Sequence, residues 1–219
     1  MTAAGHWRAW HEEYDKEDSP LRLRLGLVRR RLGEALDQAP AGPVRLISLC
    51  AGQGRDVIGV LPAHRRRGDV SARLVELDPV LAAEGREAAE VAGLGEVEVV
   101  HGDASLTDAY RGAVPADVVL ACGVFGNISN EHIRTTVDEL PHLCAPGATV
   151  IWTRHHKDPD LTPSIRGWLG ECGFEEVCFD TREGYFFSVG THRFAGPPRP
   201  LRPGRRMFWF FGDGADAHG

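Results

Sequence analysis

The chain has 219 residues, 42% of them hydrophobic and 26% charged, with a formal charge of -6. These values fit one soluble globular domain with a sizeable core, and the acidic balance argues against a protein that grips nucleic acid through a dense basic face. The sequence opens without a signal-peptide-like apolar segment, and no run approaches the ~18 apolar residues of a membrane span, so a cytoplasmic protein that avoids membranes is expected.

Residues 1–40 read as helical. In HWRAWHEEYDKE, Trp7, Trp10, His11 and Tyr14 fall at helical spacing. Ser19-Pro20 then supplies a cap and first-turn pair for a second helix, with Leu21, Leu25, Val28, Leu32 and Leu36 near one face, closed by Pro40 and Pro43. The triplets Arg29-Arg30-Arg31 and Arg65-Arg66-Arg67 read as solvated faces late in helices.

From Val44 the pattern alternates. VRLISLC is a strand and RDVIGVLPAHRRR a short helix with a late proline. VSARLVEL is a strand, PVLAAEGREAAEVAG a helix, and EVEVVHG and ADVVLACG strands with a weak helical turn near Leu106 between them. EHIRTTVDELPHLC is a helix, ATVIWTR a strand, and TPSIRGWLGECG a helix stopped at Gly173. FEEVCFDT and GYFFSVGTHRF close the core as a strand pair. Nearly continuous apolar early strands with short crossovers point to a doubly wound parallel sheet. The domain boundaries that follow are 1–40 for the N-terminal helices, 41–195 for the core and 196–219 for a Pro- and Gly-rich tail. Its Met207–Phe211 run (MFWFF) is too apolar for a free linker and is expected to dock on the domain or on a neighbour.

Five cysteines, Cys50, Cys122, Cys144, Cys172 and Cys178, form no C-x-x-C pair. They read as small core residues in a reducing compartment, with no metal site.

The first strand leaves through Ala51-Gly52-Gln53-Gly54. At the carboxyl ends of a doubly wound sheet such a turn lets backbone approach a ligand and aims amides at it from a helix start. Val57 stands where a dinucleotide fingerprint has its third glycine, which disfavours a nicotinamide dehydrogenase. Glu76 and Asp78 follow just over 20 residues later at the end of LVELDP, where an acid accepts from ribose hydroxyls. Asp103 and Ala104 end the third strand in HGDAS.

On these residues the stretch from Val44 to Phe194 resembles the class I S-adenosylmethionine-dependent methyltransferases. The resemblance implies a Rossmann-like, seven-stranded, mostly parallel sheet with an antiparallel last strand, preceded by an N-terminal helical lid. It implies S-adenosylmethionine as cofactor, held by Ala51, Gly52, Gln53 and Gly54, with Glu76 on the ribose, Leu77 on the adenine, and Asp103 with Ala104 at the adenine edge. Cys50 stands where many members carry an acid before the first small residue. The segment ACGVFGNIS, from Ala121 to Ser129, matches the part that passes the methionine and the acceptor. It implicates Cys122 in cofactor contact and Phe125 and Asn127 in substrate contact, with Trp7, Trp10, His11 and Tyr14 reaching the acceptor from the lid.

Methyl transfer from a sulfonium needs alignment and desolvation of the nucleophile, and an oxygen or nitrogen acceptor often needs a base. His155 and His156, at the end of the fifth strand, are the expected catalytic pair. The segment after strand four lacks an N-P-P-Y-type sequence, and no carboxylate set for a metal is evident. The expected activity is metal-independent O- or N-methylation of a small organic molecule by a monomer or homodimer that binds no nucleic acid. An RNA acceptor, or a non-catalytic cofactor-binding partner protein, are the alternatives.

Overall fold

The computed structural model describes Tyr14, Lys16 and residues 19–182 and 184–211. Trp7, Trp10 and His11 lie outside the described residues. Seven strands form one sheet: β1 (Val44–Leu49), β2 (Val70–Glu76), β3 (Val97–His101), β4 (Ala116–Ala121), β5 (Cys144–His155), β6 (Phe174–Thr181) and β7 (Phe187–Phe194). Their order is β3-β2-β1-β4-β5-β7-β6. The first five pair in parallel, and β7 runs antiparallel to both β5 and β6. The expected Rossmann-like sheet with its closing antiparallel pair is therefore present. Strand order reverses between β1 and β4, so a crevice opens beyond their carboxyl ends.

Strand alternation explains the burial of both faces. Val44, Leu46, Val118 and Leu120 turn to one core, while Ile47, Leu49, Val119 and Ala121 turn to the other. All eight are at most 1% exposed, which is why β1 and β4 read as near-continuous apolar runs.

Helix α1 (Pro20–Gln38) starts where Ser19 accepts a hydrogen bond from the amide of Leu21 at 3.2 Å, with Pro20 in the first turn. It packs against β7 and β5, burying Val28, Leu32, Ala35 and Leu36. Complete burial of Leu32 and Leu36 stabilises the packing by about 1.5–3 kcal/mol each. The helix expected over RDVIGVLPAHRRR is shorter than its pattern suggested. Helix α2 is only Val57–Val60 and passes into a 3-10 turn, Leu61–Ala63, because Pro62 lacks the amide that would continue an α ladder. Helices α3 (Pro79–Val91), α4 (Asn130–Glu139) and α5 (Thr162–Glu171) complete the alternation. None of the described helices is long and apolar enough to cross a membrane.

The arginine triplets are not merely solvated. Arg31 makes a bidentate pair with Asp180 on β6, and Arg29 donates twice to the carbonyl of Arg55. Arg66 is buried and donates to the carbonyls of Leu36, Ala39, Pro40 and Gly42, satisfying the acceptors that the end of α1 leaves open. Five donors in a planar fork suit that task.

The tail docks on its own domain. Met207 and Phe208 join the core and are at most 1% exposed. The Met207 amide donates to the carbonyl of Ser105 at 2.8 Å, and the Phe211 amide to that of Asn127 at 3.0 Å. Arg202 pairs with the buried Glu139 at 2.6 Å. The segment spans from the loop after β3 to the loop after β4, with isolated bridges Leu106–Arg206 and Ile128–Phe210 at its two ends.

Candidate active site

The turn after β1 is a run of left-handed residues. Cys50 has φ 52°, Gly52 φ 56° and Gly54 φ 68°. The amide of Gly54 closes the turn on the Ala51 carbonyl at 2.9 Å. Gly54 is needed for space as well as for φ, since a Cβ there would lie 2.6 Å from Leu74 Cδ2. Gly85 of α3 lets that helix approach, its virtual Cβ 3.3 Å from the backbone of Gln53.

Glu76 ends β2 and reaches across to this turn. Its Oε2 accepts from the Gly52 amide at 2.7 Å and its Oε1 from the Asp78 amide at 2.8 Å. Burial pushes its carboxyl above the usual range, opposed by the Asp78 and Gly52 amides. Two amide bonds leave about half of a carboxylate's acceptor capacity for a ligand. Asp78 caps α3, its Oδ1 accepting from the amides of Val80 and Leu81, and it borders the cavity beside Glu76.

Asp103, beyond β3, accepts from the Ser105 amide and hydroxyl through Oδ1, and from Arg206 through Oδ2 at 2.8 Å. Burial raises its carboxyl, but the Ser105 and Arg206 bonds outweigh it and leave Asp103 below the usual range. The guanidinium of Arg206 lies over the Trp209 ring, 3.7 Å from its centroid.

These groups line one cavity of about 410 Å³. The expected Ala51, Gln53, Glu76, Leu77, Asp103, Ala104 and Cys122 all border it. Gly52 contributes through its bond to Glu76, and Gly54 shapes the turn beneath. At the side nearest α1 stand Tyr14, Leu25, Arg55 and Asp56. The Tyr14 hydroxyl accepts from Arg24 at 2.8 Å, and burial pushes its pKa up. Asp56 is buried; its Oδ1 accepts from the Val57 amide at 2.8 Å, and desolvation raises its pKa.

Other expected residues lie elsewhere. His155 packs its ring beside Gly126, and burial lowers its pKa, with Arg154 and Lys157 adding. His156 faces Asp160 at 3.3 Å and the edge of Phe179. Neither lines the cavity. Phe125 is fully buried against Trp152, with ring centroids 5.9 Å apart. Asn127 donates its side-chain amide to the Gly123 carbonyl at 2.7 Å, so it shapes the cavity-lining loop from behind.

Sequence reasoning missed Asp56, Arg206, Phe208, Trp209 and Phe210 as cavity residues. The apolar run at 207–211 was the available signal for the last three.

A family model described as "Putative methyltransferase" matches residues 20–167. A comparison with curated proteins finds no match. Among solved structures, an O-methyltransferase family protein from Burkholderia thailandensis superposes with a TM-score of 0.62 at 20% identity over 82% of this chain. The chain spans only 59% of that protein's length. The S-adenosylmethionine-bound magnesium protoporphyrin IX methyltransferase from Synechocystis PCC 6803 gives a TM-score of 0.66 at 15% identity, covering 86% of this chain and 90% of its own. An RNA methyltransferase from Salinibacter ruber in complex with S-adenosylhomocysteine gives 0.53 at 22% identity, over 80% and 95%.

Proposed function

Since the chain belongs to the class I S-adenosylmethionine-dependent methyltransferase family, we propose that it methylates an oxygen or nitrogen of a small organic acceptor without a metal. The donor set fits the cofactor. A buried carboxylate with spare acceptor capacity suits a pair of ribose hydroxyls, and the left-handed turn at Cys50, Gly52 and Gly54 keeps side chains away from the loop. When bound, S-adenosylmethionine supplies a methyl group made electrophilic by a sulfonium.

The chain's own residues then have three tasks. Glu76, pinned by the Gly52 and Asp78 amides, fixes the sugar. Cys122 and Gly123, beyond β4, form the wall beside the reacting atoms; Cys122 is held uncharged because burial raises its thiol. A neutral wall avoids competing with the acceptor for the methyl group. Asp56 and Tyr14 face the acceptor, and Asp56 takes its proton. A buried carboxyl with a raised pKa is a stronger base than an ordinary one. Asp56 replaces the histidines in this role because it lines the cavity and they do not. The cavity's modest size and apolar walls favour a small acceptor over a polynucleotide.

The observation that carries this reading is the meeting of Glu76, Asp103 and Asp56 around one cavity at the strand switch point. Two measurements test it. Calorimetry should give binding of S-adenosylhomocysteine, and indifference to it ends the reading. An acceptor panel scored by mass spectrometry should yield a methylated small molecule whose turnover collapses in Asp56→Asn but not in His155→Ala or His156→Ala. Methylation of RNA alone would replace the acceptor class.

A further inference from the structure

The sheet ends supply the sugar and the edge of the base in the reading above, but little flat apolar surface for the base itself. Ala104 is small and buried. Among the described residues, the exposed large apolar side chains that line the cavity are Leu77, 52% exposed, and Trp209, 41% exposed. Leu77 follows Glu76 directly, and Trp209 comes from the tail.

The tail segment that carries Trp209 is anchored beside the same sheet ends. The Thr107 amide donates to the Arg205 carbonyl at 3.0 Å, and the Met207 amide to Ser105, two residues past Asp103. Phe208 is sunk in the core, and Phe210 bridges to Ile128 past β4. Trp209 is thereby held at the cavity between two fixed neighbours. Its ring orientation has its own support, because Arg206 grips Asp103 and lays its guanidinium over the indole at 3.7 Å. Asp103, Arg206 and Trp209 thus form one chain of contacts on the cavity wall, beginning at the acid beyond β3.

We propose that this strap, residues 205–211, is the nucleobase wall of the cofactor site: Trp209 supplies the stacking face for adenine, and Arg206 positions that face through Asp103. The inference rests on the cofactor reading above. A purine gains from an indole face because every base offers a π-surface, so the contact adds affinity, while Asp103 retains about one of its four acceptor positions to meet an amino group. Arg206 acts through Trp209 and Asp103 and is a positioning residue.

The test uses the full chain and two probes, S-adenosylhomocysteine and adenosine, titrated by calorimetry. Trp209→Ala is expected to weaken both by a similar factor of about 10- to 100-fold, with Trp209→Phe keeping most of the affinity. Arg206→Met is expected to weaken both by about 5- to 20-fold, and Arg206→Lys to restore only part, since a lysine can pair with Asp103 but offers no planar group to the ring. The chain has five tryptophans, so the ligand-induced change in indole emission should persist in the wild type and shrink in Trp209→Phe. Wild-type-like affinity for both probes in Trp209→Ala overturns the proposal. So does a loss confined to S-adenosylhomocysteine with adenosine unaffected, which would put the ring against the amino-acid arm. A wild-type protein that binds neither probe brings down the cofactor reading itself, a distinct result.

Discussion

The Gly52 amide lies 2.7 Å from Glu76 Oε2, a hydrogen bond that ties the end of β2 to the turn that leaves β1. One side chain therefore sets the shape of the loop and offers its remaining lone pairs to the cavity. Glu76→Gln turns one of the two oxygens into a donor, so it loses one of the amide bonds that pin the turn as well as an acceptor for the ligand. It is expected to weaken S-adenosylhomocysteine binding by about 10- to 100-fold, or ~1.4–2.8 kcal/mol. Because burial raises the Glu76 pKa, wild-type affinity should fall on acidification at a higher pH than an ordinary glutamate would impose, and Glu76→Gln should lose that limb. Calorimetry across pH checks both.

Cys50 holds φ 52°, in the left-handed region that costs a side-chain-bearing residue about 1–3 kcal/mol. Cys50→Gly should stay within about 1 kcal/mol of wild type, since relief of strain offsets the lost thiol packing. Cys50→Val should lose about 2 kcal/mol or more, because branching at Cβ makes this conformation worse. Thermal melts of the pair check the sign. Equal stability of the two variants would show that the turn is not strained.

Gly190 on β7 sits opposite Trp152 on β5. A Cβ at Gly190 would lie 2.2 Å from Trp152 Cε2, and Trp152 is fully buried with no room to yield. Gly190→Ala should cost about 1–3 kcal/mol. Gly167→Ala, on α5 with nothing within 4 Å of its virtual Cβ, should be neutral or stabilise by up to ~1 kcal/mol. Denaturant titrations of the two variants give the comparison.

His192 accepts from the Trp152 indole N–H at 3.2 Å through Nδ1. Burial lowers its pKa to about 4, with Glu176 pulling the other way. The folded chain therefore holds it neutral, while the unfolded chain protonates it near 6.5. Stability from this group is complete above pH 6.5 and is lost as pH falls toward 4, reaching about 3 kcal/mol. The loss should be visible between pH 6.5 and 5, before ordinary carboxylates titrate, and His192→Gln should flatten it in a Tm-versus-pH series.

The glycine turn, Glu76 and Asp103 were legible because each stands at a strand end within a few residues of a turn, where local chemistry and position in the alternation coincide. His155 and His156 also end a strand, and the same reasoning put them at the crevice. The parallel run of β5 does carry them to that edge, but they turn to Gly126, Asp160 and Phe179. Sequence position gives the end of a strand; it does not give the direction of a side chain once the strand is over. The arginine triplets mislead for a similar reason. Their partners, Asp180 and the carbonyls after α1, are distant in sequence or belong to the backbone.

By itself the sequence determined the alternating strands and helices, the strand pair that closes the core and the acid that ends β2, because periodicity of two and of 3.6, glycine at a left-handed turn and a cap at a helix start are all local requirements. Only the tertiary structure decided that Arg206, with Trp209 against its guanidinium, meets Asp103 across about a hundred residues of chain, and that Asp56 rather than a histidine borders the cavity. Those choices depend on where a docked tail can bury Met207 and Phe208. That is a matter of shape complementarity between distant segments, and no local pattern encodes it.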